Sequence, residues 1–315
     1  MRAVLGFDTS CYTTSVAAVS WTGEILTSRR RLLRVPLGER GLQQSEGLFQ
    51  HVTALPELVQ EALRDLSGCE VAAICASTRP RPAEASYMPV FKAGESHARA
   101  AASLLRVPFF SVSHQEGHIR AARVDSGLDG GEFLALHLSG GTTELLCVRD
   151  GALSLLGGST DLHAGQLVDR VGVRLGLPFP AGPALERLAM QGQSCERLGV
   201  SMRGVNCSLS GAETKILRLI DAGAVSPQDT AAEVFSLLAR SILRMLAAAA
   251  EQTGVRRALL AGGVASSAHL RALLTERVRR RRLNLELYFA RPELAGDNAV
   301  GVALLGLEKR RETEA

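Results

Sequence analysis

Ala3-Val-Leu-Gly-Phe-Asp-Thr-Ser-Cys11 and Phe133-Leu-Ala-Leu-His-Leu-Ser-Gly-Gly-Thr-Thr143 are two versions of one pattern. Each is an apolar run of strand length that ends in small polar residues. Each leads into a second strand, a tight turn and a third strand. In the first half these are Ser15 to Ser20, Thr22-Gly23 and Glu24 to Leu33. In the second half they are Glu144 to Val148, Asp150-Gly151 and Ala152 to Leu156. Working outward, helical spacing covers residues 44 to 66, Val71 to Ala76 reads as a strand, and Ser96 to Leu105 reads as a helix. A strand at Phe109 to Val112 and a helix from about His114 follow. Beyond the second hairpin come helices near 165–176, 183–192 and 230–253. A strand at Ala258 to Ala261 then runs into Gly262-Gly263 and a helix, and a last helix begins near Asp297. Strands alternating with crossover helices predict an α/β fold of two duplicated lobes, residues 1–130 and 131–315. A nucleotide and metal cleft is expected between the lobes, with the helix from about 297 packing back on the first.

Composition narrows the function classes. A chain of 315 residues suits two lobes, and 46% apolar with 22% charged residues excludes a disordered or fibrous protein. None of the six cysteines forms a C-x-x-C pair, which argues against a cysteine zinc site. The apolar stretch from Ala231 to Ala250 is broken by Arg240 and Arg244, which argues against a membrane span. With no signal peptide, the expectation is a cytoplasmic protein with reduced thiols. Lysine occurs only at Lys92, Lys215 and Lys309, so the positive charge is arginine. It gathers at Arg29, Arg30, Arg31 and Arg34, and again at Arg277 and Arg279 to Arg282. A solvated face is the ordinary reading of each cluster, and contact with RNA phosphates is the functional one.

The sharpest chemical signal is His114-Gln-Glu-Gly-His118. Histidines four residues apart share a helical face and can bind one divalent metal ion. The best third ligand is Asp297, in Gly296-Asp-Asn-Ala299, where a helix start would hold its carboxylate on free N–H groups. Two histidines and one carboxylate suit iron, taken first, or zinc. In Leu138-Ser-Gly-Gly-Thr-Thr143, Gly140 and Gly141 let backbone amides approach a phosphate, and the neighbouring hydroxyls add hydrogen bonds. Ala261-Gly-Gly-Val-Ala-Ser-Ser267, between a strand and a helix, suits the phosphate or ribose of a nucleotide. Asp169 could accept from ribose hydroxyls or simply belong to a charged helix face.

Together these segments resemble the tRNA threonylcarbamoyladenosine synthases, the threonylcarbamoyltransferase family formerly called O-sialoglycoprotein endopeptidases or glycoproteases. That family has the two-lobed fold of actin, Hsp70 and the sugar kinases. Its H-x-E-G-H is His114 to His118, its D-N-A is Asp297 to Ala299, and its S-G-G-x-T is Ser139 to Thr143. Its G-E-x-x-D-K matches Gly165 to Arg170, its L-G-L-x-Y-P-G-G-P matches Leu175 to Pro183, and its F-S-G-L-K-T matches Leu209 to Thr214. Its G-G-V-x-x-N matches Gly262 to Ser267.

The resemblance implies transfer of a threonylcarbamoyl group from threonylcarbamoyl-AMP to the adenosine beside the anticodon of tRNA. It implies a metal held by His114, His118 and Asp297, and an adenine nucleotide held by His137, Leu138, Ser139, Gly140, Gly141, Thr143, Asp169, Gly182, Gly262, Gly263 and Ser267. Through the opening motif it points to Asp8 and Ser10 as catalytic. It also implies a shorter paralogue or accessory subunits as partners, or a homodimer. The chain departs from the family at Tyr12 and Thr13, which replace an Asp-Glu pair, and at Arg79-Pro-Arg-Pro82, Glu213 and Ser267. These departures leave open a second reading, a non-catalytic paralogue that binds metal and adenine nucleotide as regulator or partner of a true transferase.

Overall fold

The computed structural model describes residues 1–10, 12–35, 42–83, 85–196 and 198–315; Cys11, in the first polar turn, lies outside the described residues. The chain divides into two compact units, Met1–Val124 with Gly296–Ala315, and Asp125–Ala295.

The first unit runs β1 (Arg2–Thr9), β2 (Thr13–Ser20), β3 (Ile25–Leu32), α1 (Gln44–Asp65), β4 (Glu70–Arg79), α2 (Phe91–Leu105), β5 (Phe109–Ser113) and α3 (His114–Arg123). Its sheet has the order β3-β2-β1-β4-β5. The β1–β2 and β2–β3 pairs are antiparallel, and the β1–β4 and β4–β5 pairs are parallel. Ala3 to Thr9 are buried on both faces of β1, which is why that strand reads as an unbroken apolar run rather than an alternation. α2 begins five residues earlier than its spacing predicts. Gly94 belongs to its interior because a Cβ there would lie 2.9 Å from Thr9 Oγ1.

The second unit runs β6 (Phe133–Leu138), β7 (Thr143–Arg149), β8 (Ala152–Gly158), α4 (Ala164–Arg174), α5 (Gly182–Ala189), β9 (Ser201–Arg203), β10 (Asn206–Ser208), α6 (Ser210–Asp221) and α7 (Pro227–Thr253). β11 (Arg257–Ala261), a 3-10 turn (Val264–Ser266), α8 (Ala268–Arg281) and β12 (Glu286–Phe289) complete it. The sheet order β12-β11-β6-β7-β8 repeats that of the first unit strand for strand. Asp150 and Gly151 both have positive φ, the conformation a two-residue hairpin turn requires. α7 starts on a Ser226 cap that accepts from the Asp229 N–H at 3.1 Å and ends at Gly254 with φ of 80°. It is buried around much of its circumference. A fully buried leucine such as Leu237 or Leu246 contributes about 1.5–3 kcal/mol through lost apolar surface. Among the described residues no helix is long and apolar enough to cross a membrane.

After residue 295 the chain returns to the first unit as α9 (Val300–Glu314), which packs on α3, β1 and β4. Gly6 allows this contact, because a Cβ there would lie 2.6 Å from the Ala299 carbonyl oxygen. Arg2 pairs with Glu314 and stacks on Trp21, its guanidinium carbon 3.7 Å from the ring centroid, so β1 and α9 are also tied at their far ends.

Candidate metal centre and nucleotide pocket

A capping box fixes the start of α3. Ser113 Oγ accepts from the Glu116 N–H at 3.2 Å, and Glu116 Oε2 accepts from the Ser113 N–H at 2.6 Å. His114 and His118 therefore stand one turn apart on one face, with ring centroids separated by 4.3 Å. Asp297 Oδ1 lies 2.8 Å from His118 Nε2 and 3.7 Å from His114 Nε2. The potential ligand atoms of the three residues all lie within 4.8 Å of one another.

The support of Asp297 differs from the sequence expectation. α9 starts three residues later, and Asn298 Oδ1, not Asp297, accepts from the Val300 N–H at 3.0 Å. Asp297 is drawn away from the helix end by two stronger partners. His118 holds Oδ1, and the Ser10 hydroxyl donates to Oδ2 at 2.7 Å.

Asp8 is fully buried behind His114. Its carboxylate oxygens lie 2.9 and 3.0 Å from His114 Nδ1, and the Ser77 hydroxyl donates to Oδ1. An ionised carboxylate only accepts, so Nδ1 carries a proton, and Nε2 is the nitrogen that a metal would take in exchange for its own proton. Asp8 is the second partner a metal-binding histidine commonly has, and on this ground the residues fit a divalent ion. Burial disfavours a charged His114, yet the Asp8 carboxylate, aided by Asp297, raises its pKa to about 9. Burial would likewise raise Asp297, but the bond from His118 and the nearby His114 and Ser10 hold it well below the usual carboxylate range.

The second unit contains a cavity of about 430 Å³. Of the expected nucleotide residues, Ser139, Gly140, Asp169, Gly182, Gly263 and Ser267 line it. His137, Leu138, Gly141, Thr143 and Gly262 do not. Leu138 is core, and His137 is a ladder residue between β7 and β11. Thr143 Oγ1 accepts from the Ala164 N–H at 2.9 Å, and Gly262, with φ of 96°, turns the chain against the Leu138 carbonyl. Asp169 Oδ1 accepts from the Ala181 N–H at 2.8 Å. Ser267 caps α8, accepting from the Leu270 N–H at 3.1 Å. Glu186 and Phe235 complete the wall without any motif to announce them, Phe235 from the middle of α7.

The departures also have local partners. Glu213 is nearly buried and pairs with Arg170 at 3.2 Å, Thr13 is buried, and Tyr12 is 45% exposed. The arginine clusters are partly engaged by neighbouring acids. Arg29 binds Asp65, Arg31 binds Glu57, Arg277 binds Glu196 and Arg279 binds Glu276. The pairs of Arg29, Arg31 and Arg279 are exposed and contribute little to stability, Arg277 is largely buried in its own, and all four side chains are less free for phosphate.

Residues 47–304 match the model of the family described as TsaD, tRNA N6-adenosine threonylcarbamoyltransferase. A protein of that name from Methanopyrus kandleri is 31% identical over 96% of this chain and 86% of its own length. One from Thermus thermophilus is 35% identical over 96% of this chain and 91% of its own length. Among solved structures, HypF of T. kodakarensis gives a TM-score of 0.64 at 17% identity, over 99% of this chain and 48% of that one. A ROK family glucokinase from Streptomyces griseus gives 0.56 at 14% identity, over 97% and 99%. At these identities the structural likeness shows the fold alone, the actin, Hsp70 and sugar-kinase type expected from the sequence.

Proposed function

Because the chain belongs to the tRNA N6-adenosine threonylcarbamoyltransferase family, we propose that it transfers a threonylcarbamoyl group from threonylcarbamoyl-AMP to the adenosine beside the anticodon of tRNA. The observation that carries the reading is the convergence of His114, His118 and Asp297, with Asp8 orienting His114. These three residues would hold one divalent ion, iron or zinc, which when bound polarises the carbonyl under attack.

The remaining work falls to the chain's own residues. The ligand set takes the threonylcarbamoyl moiety. Asp8 and Ser10 act as positioning residues, one through His114 and the other through Asp297. The cavity of the second unit takes the AMP half, with Gly140 offering its backbone amide to phosphate and Asp169 facing ribose. The adenosine amine then attacks the carbonyl of the held adenylate and expels AMP, with positioning and electrostatics supplying most of the rate. A bifunctional relative from Methanothermobacter thermautotrophicus, named for threonylcarbamoyladenosine biosynthesis, supports a search for accessory subunits.

The test is single-turnover transfer. Metal-loaded protein, threonylcarbamoyl-AMP and unmodified tRNA are mixed, with and without candidate partner proteins, and the modified nucleoside is counted. Product that disappears in His118→Ala is expected. No product under any combination, with AMP and metal still bound, would sink the transferase reading in favour of a ligand-binding paralogue.

A further inference from the structure

His51 lies in α1, is fully buried and supplies no metal ligand. Both its ring nitrogens are engaged. Nε2 lies 2.8 Å from the Ser10 carbonyl oxygen, and Nδ1 lies 2.8 Å from Thr14 Oγ1. A carbonyl only accepts, so Nε2 carries the proton and Nδ1 accepts from the Thr14 hydroxyl. Burial pushes this imidazole below its ordinary value, against weaker opposing effects of the Ser10 carbonyl and the Asp8 charge, which favours that neutral tautomer.

The bond to Ser10 bears on the metal centre. The Ser10 hydroxyl has one proton and two acceptors within reach, Asp297 Oδ2 at 2.7 Å and the Thr13 carbonyl at 3.4 Å. The position of the Ser10 backbone decides which of them it serves. Thr9, the preceding residue, is held by α2 and its approach, donating to the Val90 carbonyl at 2.9 Å and accepting from the Gly94 N–H at 3.2 Å. His51 binds the next stretch at two points, Ser10 and Thr14.

We propose that His51 is a positioning residue for the metal centre: its Nε2–H, on the Ser10 carbonyl, keeps the Ser10 hydroxyl on Asp297 Oδ2 and so aims Oδ1 at the ion. This rests on the reading of His114, His118 and Asp297 as metal ligands. A histidine that merely filled the core would be replaceable by either short or long amides. A positioning histidine distinguishes them, because the amide nitrogen of glutamine reaches the place of Nε2 and that of asparagine does not.

The experiment titrates the full-length apoprotein with Co²⁺, following its visible absorption, after far-UV circular dichroism has shown each variant folded. His51→Asn is expected to weaken Co²⁺ binding about tenfold and to alter the Co²⁺ spectrum, with His51→Gln staying within about threefold of the parent. In a Ser10→Ala background, which has already lost the hydroxyl, His51→Asn should change affinity by less than about twofold. Unchanged Co²⁺ binding in His51→Asn, or an undiminished loss in the Ser10→Ala background, overturns the proposal. Should the asparagine variant fail to fold, His51→Leu, which fills the space without an N–H, takes its place: a tenfold loss of Co²⁺ affinity supports the proposal, and unchanged affinity overturns it. A parent protein without a stoichiometric Co²⁺ site abolished by His118→Ala overturns the metal reading itself, which the other outcomes leave intact.

Discussion

Gly301 of α9 and Gly117 of α3 touch backbone to backbone: a Cβ on Gly301 would overlap the Gly117 carbonyl oxygen and lie 2.7 Å from the Ala121 amide nitrogen. α3 carries both histidines, and α9 follows Asp297 within three residues. Gly301→Ala is therefore expected to destabilise the protein by about 1–3 kcal/mol through overpacking and to weaken metal binding by parting the ligands. Denaturant unfolding in chelator gives the first effect and Co²⁺ titration the second. An alanine variant as stable as the parent would mean that the two helices separate freely.

Asp8→Asn keeps the shape of the side chain and removes the charge behind His114. Metal affinity should fall about 10- to 100-fold with the fold retained, as for other outer partners of metal-bound histidines. Equal affinity in titrations of the two proteins would show that Asp8 does not orient His114.

His114→Ala removes one of the three proposed ligands and should abolish stoichiometric metal binding. In the parent, an ion at a hundred times its dissociation constant should add about 2.7 kcal/mol of stability, which chelator reverses. That difference should vanish in the variant. Full occupancy in His114→Ala, measured by elemental analysis, would refute the ligand assignment.

Gly165→Ala addresses the second unit. A Cβ there would lie 2.6 Å from the Gly140 amide nitrogen, in the wall of the cavity. AMP affinity should drop about tenfold or more, equivalent to about 1.4 kcal/mol, with Co²⁺ binding untouched. Calorimetry with AMP checks it, and unchanged affinity would move the nucleotide elsewhere.

Asp161 gives a pH dependence. Burial alone would raise its carboxyl, but hydroxyls of Ser208 and Ser210 and amides of Leu209 and Leu162 hold it well below the usual carboxylate range. A depressed folded-state pKa means stability that is present above the unfolded value of 3.8 and fades as pH falls below it. Hydrogen-exchange protection at the start of α6, corrected for the intrinsic pH dependence of exchange, should fall below about pH 4 in the parent, with a flatter profile in Asp161→Asn. Parallel profiles would deny Asp161 that role.

Much of this architecture could be read from residue order. β1 and β6 are long apolar runs, α3 begins on a capping sequence, and the H-x-E-G-H spacing places two imidazoles together whatever surrounds them. What could not be read depends on partners far along the chain. β9 and β10 are three-residue strands of largely polar sequence, held by pairing around Gly204, and α6 begins where Asp161 meets it from 49 residues away. Asp297 read as a helix-end carboxylate because Ser10, 287 residues distant, could not be foreseen as its partner. Asp8 was pointed to as catalytic by the opening motif, but not as the partner of His114, and His51 was visible only as a helix residue, since both roles arise from the register of β1 against its neighbours and the packing of α1.

The return of residues 296–315 to the first unit has a consequence for synthesis. The ribosome makes both histidines early, then the whole second unit, and only then Asp297. A chain that stops short of residue 297 carries every residue that lines the second unit's cavity, and both histidines, without the aspartate that joins them. Synthesis past residue 297 is thus what brings His114, His118 and Asp297 into one chain, the aspartate arriving only after the whole second unit has been made.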